Sequence, residues 1–303
     1  MRLRIWLALA AIAATQPALA APKTVAKDAR VWSAAQAVRA DQLRLLEQVV
    51  NIDSGTGDVE GGRKVADLLV PRLEALGFHV EQVPAEAPNL ADNVVATLKG
   101  SGKGRILMIG HLDTVFEPGT AAKRPFRIEG DRAMGPGVAD EKGGVVEAIY
   151  AVKILRDLGF KDFGQIVLLI ESSEERGSPG TRKLIDRLLK DADVELNLEP
   201  GDPPDVATVW RKGSNVIVVE VTGKAAHAGV APQEGRNAAD ELIHQIEAAR
   251  AFPKFGDGMT LNLTQLEAGT RHNIIPDHAA ATFSLRVREP AQVDQVLQAL
   301  ETS

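Results

Sequence analysis

The 303-residue chain contains no cysteine, which excludes disulfides, a thiol nucleophile and thiolate metal sites together. Any metal centre must therefore be assembled from His, Asp and Glu. Aromatic residues are scarce, at 4%, so the core has to rest on Leu, Val, Ile and Ala. A basic excess is also missing: 35 Lys and Arg stand against 41 Asp and Glu, a formal charge of −6. That balance argues against a nucleic-acid binder, though not against an anionic substrate, because a few local arginines override a diffuse net charge. No apolar run approaches the roughly 20 residues of a membrane span. The nearest, Ile5 to Ala14, follows Arg2 and Arg4 and precedes Ala18-Leu19-Ala20. This reads as a secretory signal over residues 1–20, cleaved before Ala21. Cleavage removes Arg2 and Arg4 and takes the charge from −6 to −8. The expected location is periplasmic or secreted, with no membrane attachment after cleavage.

Periodicity divides what remains into alternating helices and strands. Helical spacing is expected over Asp41 to Val50, Arg63 to Leu76, Val145 to Leu155 and about Gly180 to Leu189; Pro71 predicts a kink or break in the second. Short apolar runs at His79 to Val83, Asn93 to Leu98, Arg105 to Ile109, Gln165 to Ile170 and Val194 to Leu198 read as strands. The alternation implies an α/β domain with a mixed, largely parallel sheet flanked by helices. Gly201-Asp202-Pro203-Pro204 reads as a linker, which separates residues 21–205 from 206–303. Beyond it, a strand at Val216 to Val221, a helix at Arg236 to Arg250, strands at Met259 to Leu266 and Ala280 to Val287, and a helix from Val293 to Leu300 give a βαββα order. That order is one strand short of a split βαβ sandwich.

Chemistry-bearing residues gather just past the apolar runs of the first half. His111-Leu112-Asp113 follows Arg105 to Ile109, Glu174-Glu175 follows Gln165 to Ile170, and Glu199 follows Val194 to Leu198. Asp140 ends the loop Gly135-Pro136-Gly137-Val138-Ala139-Asp140 before a helix. Singly, each has a plain reading: a loop hydrogen-bond pair, solvated strand-end charges, or a helix N-cap for Asp140. Parallel strands, however, place their carboxyl ends along one edge. One His and several carboxylates meeting there repel one another unless a cation neutralises them. Imidazole plus carboxylate ligands suit zinc, manganese or cobalt.

His111-Leu112-Asp113-Thr114-Val115, Gly135 through Gly144 and Glu174-Glu175-Arg176-Gly177-Ser178 resemble the signature blocks of the zinc exopeptidase family of glutamate carboxypeptidase, aminoacylase and succinyl-diaminopimelate desuccinylase. Gly223-Lys224-Ala225-Ala226-His227-Ala228-Gly229 and Asn273-Ile274-Ile275-Pro276 are similar to its dimerisation-domain motifs. Within that family the chain resembles the periplasmic glutamate carboxypeptidases. The resemblance implies a zinc-exopeptidase catalytic domain with an inserted α+β dimerisation domain, a homodimer, and two zinc ions in a full-length parent. His111 and Glu199 would bind one zinc, Glu175 the other, and Asp140 would bridge them. Asp113 would orient His111, and Glu174 would be the general base. His227 would stabilise the oxyanion across the dimer, while Arg286 and Asn273 would hold a free substrate carboxylate. Small peptides or N-acyl amino acids are the implied substrates. The family's last zinc ligand, a C-terminal histidine, has no counterpart here, so the implied chain is C-terminally truncated with one zinc site in doubt, and a non-catalytic fragment is the competing expectation. His79, His244, His272 and His278 are expected to be surface or packing residues.

Overall fold

The computed structural model describes residues 27–201, 206–250 and 258–301. The expected signal at 1–20 and the Asp202-Pro203-Pro204 part of the linker lie outside the described residues. The chain divides into two compact units between Pro200 and Gly201. No helix among the described residues is long and apolar enough to cross a membrane.

The first unit opens with α1 (Ala29–Val50), capped by the Asp28 carboxylate, which accepts the Arg30 N–H at 2.8 Å. The helix starts well before Asp41 because its first half, Ala-rich and exposed, has helical propensity without an apolar stripe. Its second half buries Leu45, Leu46, Val49 and Val50. α2 (Val59–Ala75) is capped by Asp58, which accepts from Gly61 N at 2.9 Å. Contrary to expectation, Pro71 does not break α2. The carbonyl that loses its partner belongs to Asp67, four residues back, and both residues sit on the exposed face where water can serve it.

Five strands follow in one sheet, in the order β1 (His79–Val83), β2 (Asn93–Lys99), β6 (Gln165–Glu171), β3 (Arg105–His111), β7 (Val194–Asn197). β3 runs parallel to both β6 and β7, while β1–β2 and β2–β6 are antiparallel. Between β3 and β6 lie a single turn α3 (Thr120–Lys123), an unanticipated hairpin β4 (Arg127–Glu129) and β5 (Arg132–Met134), and α4 (Lys142–Asp157). α5 (Arg182–Leu189) joins β6 to β7. Alternate residues of the sheet enter two cores. Met108, Leu168 and Ile170 pack with Leu69, Leu73 and Ile149 from α2 and α4, whereas Leu107, Ile109, Val167 and Leu169 pack with Leu184 of α5. Helices thus cover both faces, and β6 reads as continuous apolar sequence because it is buried on both sides. Each fully buried Leu or Ile contributes roughly 1.5–3 kcal/mol.

The second unit pairs β8 (Gly213–Thr222) with β12 (His278–Val287) over ten residues, antiparallel. β10 (Thr260–Ala268) lines the other side of β12, with a bulge between Leu263 and Gln265. α6 (Ala238–Arg250) and α7 (Ala291–Glu301) supply Leu242, Ala249 and Val296 to a core with Ile217, Leu261, Phe283 and Leu285. The βαββα order is therefore observed, with one addition. A two-stranded ribbon, β9 (Ala226–His227) with β11 (Ile274–Ile275), joins the two motif segments of this unit.

Candidate metal centre

Because β3, β6 and β7 are parallel, their carboxyl ends lie on one edge, and the site is built there. His111 ends β3 opposite Glu171 of β6 and is fully buried. Its Nδ1 sits 2.9 Å from the Asp113 carbonyl oxygen and 3.3 Å from Asp113 Oδ1. That pairing turns Nε2 toward the carboxylates: Asp140 Oδ1 at 3.0 Å, Glu141 Oε2 at 3.4 Å, Glu199 Oε1 at 3.5 Å and Glu174 Oε2 at 4.0 Å.

Asp140 arrives through the Gly135–Asp140 loop, whose Gly137 has φ 71° and passes so close to Thr114 that a Cβ would lie 2.6 Å from its Cγ2. Glu141, not Asp140, occupies the N-cap position of α4, and it makes no side-chain cap bond, so Asp140 is not spent on capping. Asp113 gathers a third group of residues. Its carboxylate accepts from Thr56 Oγ1 at 2.6 Å, Glu174 N at 3.1 Å and Glu175 N at 3.3 Å. The buried Asn93 fixes the other side of the same segment: its Oδ1 accepts from Ser172 N and Thr181 Oγ1, and its Nδ2 donates to Gly180 O. The Glu174–Arg176 turn is thus held to the His111 strand end from both sides.

The electrostatics are those of a site crowded with negative charge. Burial opposes charging of the His111 ring, but the Asp113 carboxylate and Glu141 outweigh it and raise its pKa from 6.5 to about 10. Burial, joined by the charges of Glu199 and Asp140, raises Glu141 to about 8. Burial and Asp140 raise Glu175 to about 7, and burial raises Glu171 to about 7. Two buried carboxylate oxygens, Glu141 Oε1 and Glu171 Oε2, have no hydrogen-bond partner among the described residues.

A divalent cation fits this donor set. One ligand atom each from His111, Asp140 and Glu199 lies within 4.8 Å of the others. The Nε2 separations of 3.0 and 3.5 Å match the roughly 3.0–3.5 Å between neighbouring ligands that bonds of about 2.0–2.2 Å produce. Glu174 is near this group, and Glu175 is outside it, half-buried on the wall of a cavity of about 660 Å³ lined also by Thr56, Asn89, Val115, Phe116 and Arg176. Glu141, Thr56 and Glu171 were missed in the sequence. For Glu141 the available signal was its place inside the Gly135–Gly144 block, next to Asp140.

The second-unit residues are arranged differently. His227 is exposed, and its Nδ1 accepts from the Gly229 and Val230 N–H groups, both at 3.2 Å. Two donors on Nδ1 assign the neutral ring its proton on Nε2. Asn273 lies one residue before β11, and its carbonyl accepts from Ala228 N at 3.0 Å, so His227 and Asn273 share the β9–β11 ribbon. Arg286 is exposed on the face of β12 away from the core, eight residues beyond His278, a distance of ~26 Å along an extended strand. Asn273 lies five residues before His278, on the side of β12 opposite to the end that carries Arg286.

Comparison with known proteins matches residues 209–303 to a peptidase dimerisation domain and residues 93–250 to peptidase family M28. Carboxypeptidase G2 of a Pseudomonas species is 35% identical over 295 residues, covering 97% of this chain and 71% of that protein. A peptidase M20 domain-containing protein of Schizosaccharomyces pombe is 30% identical, covering 80% of this chain and 61% of its own length. Among solved structures, an M20 family metallo-carboxypeptidase from Sulfolobus solfataricus superposes with a TM-score of 0.67 at 20% identity, over 86% of this chain and 75% of that one.

Proposed function

Since the chain belongs to the M20 peptidase family of hydrolases, we propose that its activity is metal-dependent hydrolysis of an amide or peptide bond next to a free C-terminal carboxylate. The observation that carries this reading is a buried histidine whose Nε2 faces Asp140 at 3.0 Å and Glu199 at 3.5 Å. His111, Asp140 and Glu199 would hold one zinc, and Glu175 with the bridging Asp140 would serve a second. Bound zinc supplies positive charge that acidifies a water and polarises the scissile carbonyl.

The remaining chemistry belongs to the chain. Asp113 holds His111 in one orientation, with Nδ1 occupied and Nε2 turned toward Asp140 and Glu199, where the cation would sit. Glu174, no ligand in this reading, takes a proton from the attacking water and delivers it to the leaving amine. His227, with its proton on Nε2, donates to the oxyanion. Arg286 grips both oxygens of the substrate carboxylate with its planar fork, and Asn273 adds a further donor. With Asn273 before the start of β12 and Arg286 near its end, a carboxylate held by both would draw on two copies, which suits a homodimer formed through residues 206–303. Residues 21–205 would be the catalytic domain, and residues 1–20 the export signal to a periplasmic or external site.

The discriminating measurement is kcat/KM for an N-acyl glutamate or a small glutamyl peptide against the same compound with its carboxylate amidated. Preference for the acid, lost in Arg286→Ala, is expected; equal cleavage of both by the wild type would point to an aminopeptidase or general amidase.

A further inference from the structure

We propose that Glu141 belongs to the cation site as a charge-compensating carboxylate behind His111, tightening divalent-metal binding without being a ligand. The inference rests on the metal-centre reading above and goes beyond it, because the ligand set named there leaves Glu141 without a task. Its side chain is 1% exposed, and Oε1 has no partner among the described residues. Oε2 lies 3.4 Å from His111 Nε2, the only ion-pair contact of Glu141 among the described residues. The neighbouring Lys142 does not neutralise it, since Lys142 Nζ donates to the Ile52 carbonyl at 2.6 Å.

Two glycines border this carboxylate. A Cβ at Gly110 would come within 3.4 Å of Oε1, and one at Gly144 within 3.1 Å. A buried carboxylate with one unpartnered oxygen, close to other carboxylates, is disfavoured unless a positive charge accompanies it. In the metal-free chain, among the described residues, only the His111 ring, 3.4 Å away, supplies such a charge, and it does so by holding a proton that a bound cation displaces. A cation seated between Nε2, Asp140 and Glu199 would supply it instead. Glu141 is not among the three residues whose ligand atoms lie within 4.8 Å of one another, so it acts beside the ligands, as a positioning residue through His111 and through its field. Outer-shell partners of this kind typically change metal affinity about 10–100-fold.

The test is zinc affinity, read by competition with a chromophoric chelator at fixed pH, in the wild type, Glu141→Gln, Glu141→Asp and Glu171→Gln. Glu171 is the control: a second buried carboxylate with an unpartnered oxygen, but with no ion-pair contact to the His111 ring among the described residues. The expected result is a ~10–100-fold loss for Glu141→Gln, partial recovery for Glu141→Asp, and a clearly smaller change for Glu171→Gln. Melting with and without zinc provides the second readout: the metal-free Glu141→Gln protein should melt no lower than wild type, while the stabilisation given by zinc shrinks. Wild-type affinity in Glu141→Gln, or equal losses in Glu141→Gln and Glu171→Gln, would overturn the proposal and leave the ligand set standing. If Glu141→Gln folds poorly, Glu141→Asp decides by itself, since a folded Glu141→Asp protein that loses all zinc binding points to shape, not charge. A wild-type protein that binds no zinc removes the metal-centre reading as well.

Discussion

His111 is fully buried with four carboxylates within 4.0 Å of its Nε2, whereas His227 lies on the surface with two backbone N–H groups against its Nδ1. The same residue type is thus used in two ways. In the first unit each site residue is fixed by the others: Asp113 alone ties Thr56, His111, Glu174 and Glu175 together. In the second unit Asn273 and Arg286 are exposed, on the ribbon and at the far end of β12. A buried, interlocked set suits a cation, which needs preorganised ligands and tolerates little movement. Exposed groups on a separate unit suit contacts that form only when substrate arrives. Substitutions in the first unit should therefore disturb metal binding and turnover together, and those in the second should disturb turnover alone.

The largest expected effect breaks that rule in an instructive way. Glu174 lies 4.0 Å from Nε2 but is assigned to proton transfer, so Glu174→Gln should keep zinc while lowering kcat on the order of 10²–10⁴-fold. Glu175→Gln should instead lower zinc content. The opposite pattern, measured by metal analysis beside steady-state kinetics, would exchange the two roles. Arg286→Ala comes next, with kcat/KM for a free-carboxylate substrate falling by an amount worth about 1.5–3 kcal/mol, and zinc affinity and melting temperature unchanged. Arg286→Lys should recover only part of the loss, because a point charge cannot reproduce the fork. A lower melting temperature in Arg286→Ala would blur the contrast between the units.

Acidity gives a third effect. With the His111 ring raised to about 10 in the metal-free chain, the ring is protonated throughout the neutral range. A cation needs its lone pair, so zinc must displace that proton. Affinity should therefore fall as pH falls, by roughly tenfold per unit for each proton displaced, with proton release measurable by titration in buffers of different ionisation enthalpy. The smallest effect tests packing away from the site. Tyr150 Oη donates to Asp41 Oδ2 at 2.5 Å, joining α4 to α1, and this bond first of all lowers the Asp41 pKa. A depressed carboxylate stabilises the fold above its unfolded value and loses that contribution as pH falls through the folded value. Tyr150→Phe should cost about 1 kcal/mol near neutral pH and flatten the acid limb of the stability profile, with kcat unaltered.

The sequence was most legible where chemistry and periodicity coincided. His111, Glu174 and Glu199 follow strands that prove parallel, so their meeting at one edge followed from elementary topology. Pro71 does not end α2: propensity alone ignores which face of the helix loses its hydrogen bond. The first half of α1 and the β4–β5 hairpin carry no apolar period and left no signal. Glu141 was passed over because burial of a charged residue is decided by tertiary surroundings, which no local sequence pattern reports. The second-unit residues were named through family resemblance alone, since an exposed arginine on a strand has no signature of its own.

The central claim is that the His111, Asp140 and Glu199 cluster is a metal centre, and metal content measures it most directly. Purified chain, dialysed against metal-free buffer after zinc loading, is predicted to retain one tightly bound zinc per chain. His111→Ala should lose it together with the thermal stabilisation that zinc confers on the wild type. A wild-type chain that retains no metal, and melts with or without zinc at the same temperature as His111→Ala, would contradict the account.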